Sequence, residues 1–453
     1  MKRIFFILLP LALLLLFLYI VYKSEIILEG LKREAFLKYY IISGCLFFIS
    51  LFVIFLSEKL KNYIFILFII FFTIIYSLEI YLNFNEYTHQ KNKVYSVLNF
   101  NGEIYDTRLR FEVYNDIKKN DENVSLSAGP SSFLNPASSL IFDAKKFFPL
   151  SSKSNSNTIN CNSNGYYSIY KSDRYGFNNP DTEWDYQDID YLFIGDSFAQ
   201  GCENRPNDLP SKIRNLSGKT TINLGLPGNG PLLEYASLKE YSKDKNIKNI
   251  IWLFYEKNDL DDLVHEFKNE VLYKYFKNKL FSQNLKNKQR VVDDIVERYN
   301  QIEVEKGKIV TENKKIKTKF IKFIKLSKVR GYFDRPKLNS FETKDSLHTK
   351  LVNFNQVTKL IKEISDEKKS NLYFVYLPEL KRYKNFKDNE ILNNVKKIIT
   401  QQNIKFINID SEVFAKEVDP KKLFSLEILG FNYYNTEGYN KISQRIFEII
   451  NNQ

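Results

Sequence analysis

The chain has 453 residues, too many for one average domain, and a formal charge of +13. Charged residues make up 26% and apolar residues 44%, but they are segregated: the first eighty residues or so are nearly all apolar, and the rest is rich in Lys, Asn, Asp and Tyr. This split excludes a chain that is soluble throughout, and with no nucleic-acid-binding module in view the positive charge points to anionic lipid or an acidic glycan, not nucleic acid.

Three apolar blocks come first. Ile4–Val21 and Tyr39–Ser57 carry no charge, and Tyr63–Leu78 extends through Ile80, Tyr81 and Leu82 past a single Glu79. A helix needs about 20 apolar residues to cross the hydrocarbon core, so residues 1–82 are expected to form a three-helix transmembrane anchor. Ile4–Val21 exceeds the roughly 7–15-residue apolar core of a signal peptide and runs into Tyr22-Lys23-Ser24-Glu25 with no small-residue cleavage pattern. It reads as a retained anchor. Lys2 and Arg3 favour an N-terminus inside the cell, which after three crossings makes the C-terminal part extracytoplasmic. The loop charges, Lys23, Lys32, Arg33 and Lys38 against Lys59 and Lys61, favour neither orientation. Cys45 lies in the second block. Cys161 and Cys202 either form one disulfide in an oxidising compartment or stay separate thiols.

Residues 83–159 read as a polar connector, with turn formers concentrated in "SAGPSSFLNPASS". From about residue 186 the pattern turns regular. Short continuous apolar runs at 190–195, 220–225, 247–256, 371–378 and 405–410 read as buried strands. Helical stretches separate them, and the last begins with Thr436 as the expected N-cap. Strand alternating with helix predicts an α/β domain over 160–453, a three-layer α/β/α, flavodoxin-like parallel sheet of five strands. An insertion at about 262–340 interrupts it and ends in the basic "ENKKIKTKFIKFIKLSKVRGYFDR". Phe320, Ile321, Phe323, Ile324 and Leu326 alternate there with lysines. Such a helix either lies on anionic lipid or caps its own domain with a solvated lysine face, and the second is the expectation.

In an open parallel sheet, ligands bind beyond the carboxyl ends of the strands. After the first strand, "YLFIGDSFAQG" sets Ser197 at a sharp strand-to-helix turn, where nearby N–H groups can donate to a developing anion. After the second, "NLGLPGNGP" lets the main chain approach a bound group closely. Its spacing is not that of a nucleotide loop. After the third, "FYEKNDLDDL" presents Asn258, whose amide is a neutral donor suited to an oxyanion. Asp259, Asp261 and Asp262 lack the spacing of a calcium loop and read as a solvated helix start. No metal cluster or cofactor motif is present.

In this order, the three blocks resemble the SGNH/GDSL hydrolase superfamily, well over residues 160–260 and more loosely over 370–453. "SDRYGFNNPD" is similar to a segment of its membrane-anchored envelope members. The resemblance implies Ser197 as nucleophile, with the Ser197 N–H, the Gly228 N–H and the Asn258 side chain as oxyanion hole. It also implies a closing Asp-x-x-His block. The matching stretch, "GFNYYNTEGYNKIS", has Tyr433 at the histidine position and Gly430 at the aspartate position. The chain's histidines are His89, His265 and His348. Asp345 and His348 have the right spacing but precede the fourth strand, where they read as a helix cap and a surface residue. Two functions follow: a membrane-anchored esterase, deacetylase or O-acyl-transfer enzyme on an envelope glycan, using Ser197 with an unidentified base or help from its substrate; or an envelope binding or scaffold protein with a degraded site that recognises acylated sugars. A serine hydroxyl without an adjacent base is a poor nucleophile at neutral pH.

Overall fold

A computed structural model of the chain describes residues 2–27, 30, 33–101, 105–134, 141–313, 316–333, 344–384, 389–425 and 433–452. It forms two compact units: residues 1–87 with 319–335, and residues 88–318 with 336–453.

The helices of the N-terminal part are α1 (Lys2–Val21), α2 (Arg33–Val53) and α3 (Glu58–Asn101). Each contains a stretch long and apolar enough to cross a membrane. These apolar stretches turn large side chains such as Phe48, Phe52 and Leu67 outward. That surface is unfavourable in water and favourable in lipid.

After the end of α3, the second unit holds α4 (Arg110–Lys118) and a small sheet of β1 (Val124–Leu126), β2 (Asn157–Ile159) and β3 (Ile169–Lys171). The main sheet follows: β4 (Asp188–Ile194), the short α5 (Ser197–Gln200), α6 (Leu209–Ser217), β5 (Thr221–Asn223), α7 (Pro231–Tyr241) and β6 (Asn246–Tyr255). Next come the helices α8 (Asp259–Glu266), α9 (Glu270–Lys277), α10 (Gln289–Asn313), α11 (Ile316–Ile324), α12 (Ser327–Phe333) and α13 (Lys344–Glu367). The chain finishes with β7 (Asn371–Leu377), α14 (Glu390–Gln401), β8 (Lys405–Asn408), α15 (Ile409–Glu412) and α16 (Thr436–Asn451).

The main sheet has the order β5-β4-β6-β7-β8, with every neighbouring pair parallel. This is the expected five-stranded flavodoxin-like arrangement, its strand order reversing direction between β4 and β6. Successive side chains on a strand point to opposite faces, and each strand feeds two cores. Leu192, Ile194, Ile250, Trp252 and Phe374 pack beneath α7 and α13, while Tyr191, Phe193, Ile251, Leu253 and Val375 pack beneath α6 and α16. Apolar residues on both faces explain why the strands read as unbroken apolar runs.

Two expectations are corrected. Among the described residues, 319–333 belong to the unit of the membrane helices, not to the α/β unit in which they were expected. The N-cap of α16 is Asn435, whose side chain accepts from the Gly438 N–H at 2.9 Å, and Thr436 is the first residue inside the helix. Asn reaches back to the third N–H as readily as Thr does.

Candidate functional site at the end of β4

The carboxyl ends of β4 and β6 flank the point where the strand order reverses, and Ser197 and Asn258 follow these two strands. At the end of β4, Asp196 caps α5 by accepting from the Phe198 N–H at 2.8 Å. Its other carboxylate oxygen lies 3.3 Å from the Ser197 hydroxyl, which donates to it. Asp196 is buried and Ser197 half-buried. Burial pushes the Asp196 carboxyl up to about 7; the Phe198 N–H opposes this, the negative charge of Asp262 adds to it, and the Asn258 amide and Ser197 hydroxyl oppose it more weakly.

Asn258 is the N-cap residue of α8. Its amide nitrogen donates to Asp262 at 2.6 Å and also favours the charged form of Asp196. The amide that the resemblance assigns to the oxyanion thus holds one carboxylate in place and acts on a second. Asp262 belongs to a group of acids gathered behind the turn. Asp259 is fully buried and accepts from the Tyr255 N–H at 2.8 Å. Glu234 accepts from the Trp252 indole at 2.6 Å, and Glu266 accepts from the N–H groups of Gly230 and Leu232 at 2.5 and 2.9 Å. Burial is the main cause of raised values throughout, to about 8 for Glu266 and well above the carboxylate range for Glu234 and Asp259, which also repel neighbouring acids. The expectation that Asp259, Asp261 and Asp262 form a solvated helix start holds only for the exposed Asp261, which pairs with Lys350. Asp259 points into the domain because the Tyr255 N–H at the end of β6 needs an acceptor.

Tyr433 lies at the Ser197 turn, its ring 5.1 Å from that of Phe198, which stacks on Tyr255 at 3.9 Å. Burial pushes its phenol up to about 12, with the nearby Ser197 side chain opposing the rise, so it is neutral at physiological pH. The serine side chain therefore bonds to a carboxylate and has a phenol close to it. Gly430 lies outside the described residues. His89, His265 and His348 are all exposed. His265 is near enough to Asp262 for its charge to act on that carboxyl. His348 lies in the first turns of α13, which starts at Lys344, and the side chain of Asp345 lies outside the described residues.

Gly228 has a positive φ of 70°, and a Cβ there would lie 2.3 Å from the Ser131 Oγ. Both facts call for glycine. The loop around it is held by Glu266 through Gly230 and by Ser131, whose hydroxyl donates to the Pro227 carbonyl at 2.9 Å. Next to it, Asn229 is fully buried, and neither end of its amide has a protein partner among the described residues. Leaving such a group unpaired costs about 1–3 kcal/mol, so it is a polar contact open to a ligand or to water.

Three supports hold the turn, of which only the disulfide was among the readings of the sequence. Asp173 accepts from Asn179 and Trp184 at 2.8 and 2.7 Å, and Asn179 exchanges hydrogen bonds with the backbone of Asn223 at the end of β5. Asn178 donates to the Gln200 carbonyl at 3.1 Å. Cys161 and Cys202 form a disulfide with Cα atoms 5.6 Å apart, and Asn160 donates to the Gly201 carbonyl at 2.8 Å. The segment "SDRYGFNNPD" thus knits the Ser197 turn to the second loop. Its Asp and Asn content was the available signal, since these side chains bond readily to nearby backbone.

The Ser197 turn therefore presents a hydroxyl bonded to a raised carboxyl, with a neutral phenol close to it, at the carboxyl end of a parallel sheet. Among known proteins, no family model matches this chain and no curated sequence is similar to it, so the chemistry of the site has to be read from its own side chains.

Proposed function

We propose that the chain is a membrane-anchored serine esterase, deacetylase or O-acyl-transfer enzyme of the SGNH/GDSL type, acting on an acylated envelope glycan through Ser197. The observation that carries this reading is the Ser197–Asp196 hydrogen bond, with Asp196 at about 7. A general base is most effective when its pKa lies near the working pH. Asp196 would take the hydroxyl proton as Ser197 Oγ bonds to the ester carbonyl, then return it to the leaving alcohol. Water would release the acyl group from Ser197, or a sugar hydroxyl would accept it. The Asn258 amide, bonded to Asp262 through one hydrogen, would turn its other hydrogen toward the oxyanion together with the Gly228 N–H. The Cys161–Cys202 disulfide supports an extracytoplasmic domain, since such bonds persist in oxidising compartments.

One observation favours a second reading, an acyl-sugar-binding scaffold with a degraded site. A neutral phenol close to Ser197, at the position where a histidine is expected, offers no strong base. A fluorophosphonate probe on the full chain in detergent separates the two. Covalent labelling that disappears in Ser197→Ala supports the enzyme. An unlabelled wild type together with a labelled Tyr433→His variant supports the degraded site.

A further inference from the structure

Glu79 is the one charged residue within the apolar run Tyr63–Leu82 of α3. It is only 1% exposed. Its carboxylate accepts from the Lys328 N–H at 3.0 and 3.1 Å and from the Val329 N–H at 2.8 Å, both at the start of α12. One turn earlier, the Tyr76 hydroxyl donates to the Ile324 carbonyl at 3.0 Å, and its ring lies 5.5 Å from that of Phe323. Two turns beyond Glu79, Glu86 pairs with the Lys328 ammonium. The α11–α12 segment is thus fastened along α3 from inside the end of the apolar run to just past it. That stretch spans about 15 Å at 1.5 Å per residue, the depth at which hydrocarbon gives way to headgroups.

The free side of this segment is divided. Phe323 turns to α3. Phe320, Ile321 and Ile324 are 62%, 41% and 51% exposed on an adjacent arc, while Lys319, Lys322 and Lys325 are exposed on the other side. From Asn313 to Phe333 the sequence has no acidic residue. Three large apolar groups on one short helix are unfavourable in water, but at this depth they meet acyl chains while the lysine stems reach outward to headgroups.

We propose that Lys319–Phe333 is an interfacial strap that binds the anionic lipid headgroups around α3, with Phe320, Ile321 and Ile324 in the acyl layer and Lys319, Lys322 and Lys325 on the phosphates. Location and charge select lipid over a protein partner: the segment is fixed to a membrane-spanning helix at the boundary, and its net positive charge complements an anionic leaflet. The proposal stands independently of the activity at Ser197.

The full chain is reconstituted in nanodiscs of phosphatidylcholine, with and without phosphatidylglycerol, and the lipids carry brominated acyl chains. Phe320→Trp and, separately, Ile324→Trp report on the strap, against a parent whose Trp184 and Trp252 are buried. The expected result is loss of the added indole emission to bromine near the headgroups, greater with phosphatidylglycerol. High salt or the triple change Lys319→Gln, Lys322→Gln and Lys325→Gln reduces it to the phosphatidylcholine level. Quenching no greater than in the parent overturns the proposal, as it would if a second protein covered the face. Quenching indifferent to anionic lipid, salt and the lysines also overturns it.

Discussion

Glu79 on α3 and Asp196 at the end of β4 are both acids kept from water, and both accept hydrogen bonds from the first N–H groups of a short helix. Their remaining partners differ. Glu79 takes two backbone N–H groups, and Asn83 donates to it from one turn away at 3.4 Å. Its main partners cannot leave without unwinding α12. Asp196 takes one backbone N–H, and its other hydrogen bond comes from a serine hydroxyl, a side chain that can rotate away. Fixed donors make a carboxylate a structural rivet, whereas rotatable donors leave it able to exchange a proton.

Three changes test that contrast. The largest effect is expected for Asp196→Asn. If Asp196 is the base, fluorophosphonate labelling of Ser197 slows by about 100-fold or more, the ordinary contribution of general base catalysis. In wild type the rate rises with pH through about 7, as the carboxylate forms. In Asp196→Asn that rise is gone, while far-UV circular dichroism is unchanged. A labelling rate independent of pH in both proteins would remove Asp196 from the reaction. Next comes Glu79→Ala. It leaves the N–H groups of Lys328 and Val329 without their acceptor, and limited trypsin digestion after Lys319, Lys322 or Lys325 should speed up severalfold in nanodiscs. Unchanged cleavage would mean that Glu79 does not hold the strap.

The smallest effect is on stability. Asp196, Glu234, Asp259 and Glu266 all have native values above those of the unfolded chain. Unfolding at neutral pH therefore releases protons. The stability linked to these groups is fully present below about pH 4, where both states hold the protons. It is lost as pH rises through the native values, about 7 for Asp196 and about 8 for Glu266. The soluble part should melt several degrees higher at pH 5 than at pH 8, and Glu234→Gln with Asp259→Asn should narrow the gap. A melting temperature that climbs from pH 5 to pH 8 would contradict these raised values.

The sheet was legible because its strands are buried on both faces: Leu192 and Phe193 serve opposite cores, so apolar character never lapses along β4. Ser197 and Asn258 could be found because each follows the end of an apolar run, and Tyr433 because "YNTEGY" leads into a helix. The partner of Ser197 could not be found this way. Asp196 stands in plain view beside it, but nothing local says that a carboxylate in a Gly-Asp-Ser turn will be buried among four other acids. The sequence likewise reads Asp259 as solvated, since burial is decided by the Tyr255 N–H and the packing of α7. Glu79 meets its partners 249 and 250 residues away, a distance at which no periodicity carries information.

The Asp173–Asn179 clasp bears on how the α/β part could be prepared alone. A truncation that opens at Ile189, where the sheet nominally starts, discards Asn179 and strands the N–H and carbonyl of Asn223 inside the protein. Opening at Tyr105 retains the clasp, both cysteines and β1, whose Leu126 N–H is received by Asn300. Expression of the shorter piece should end in inclusion bodies, and the longer one is where crystallisation trials belong.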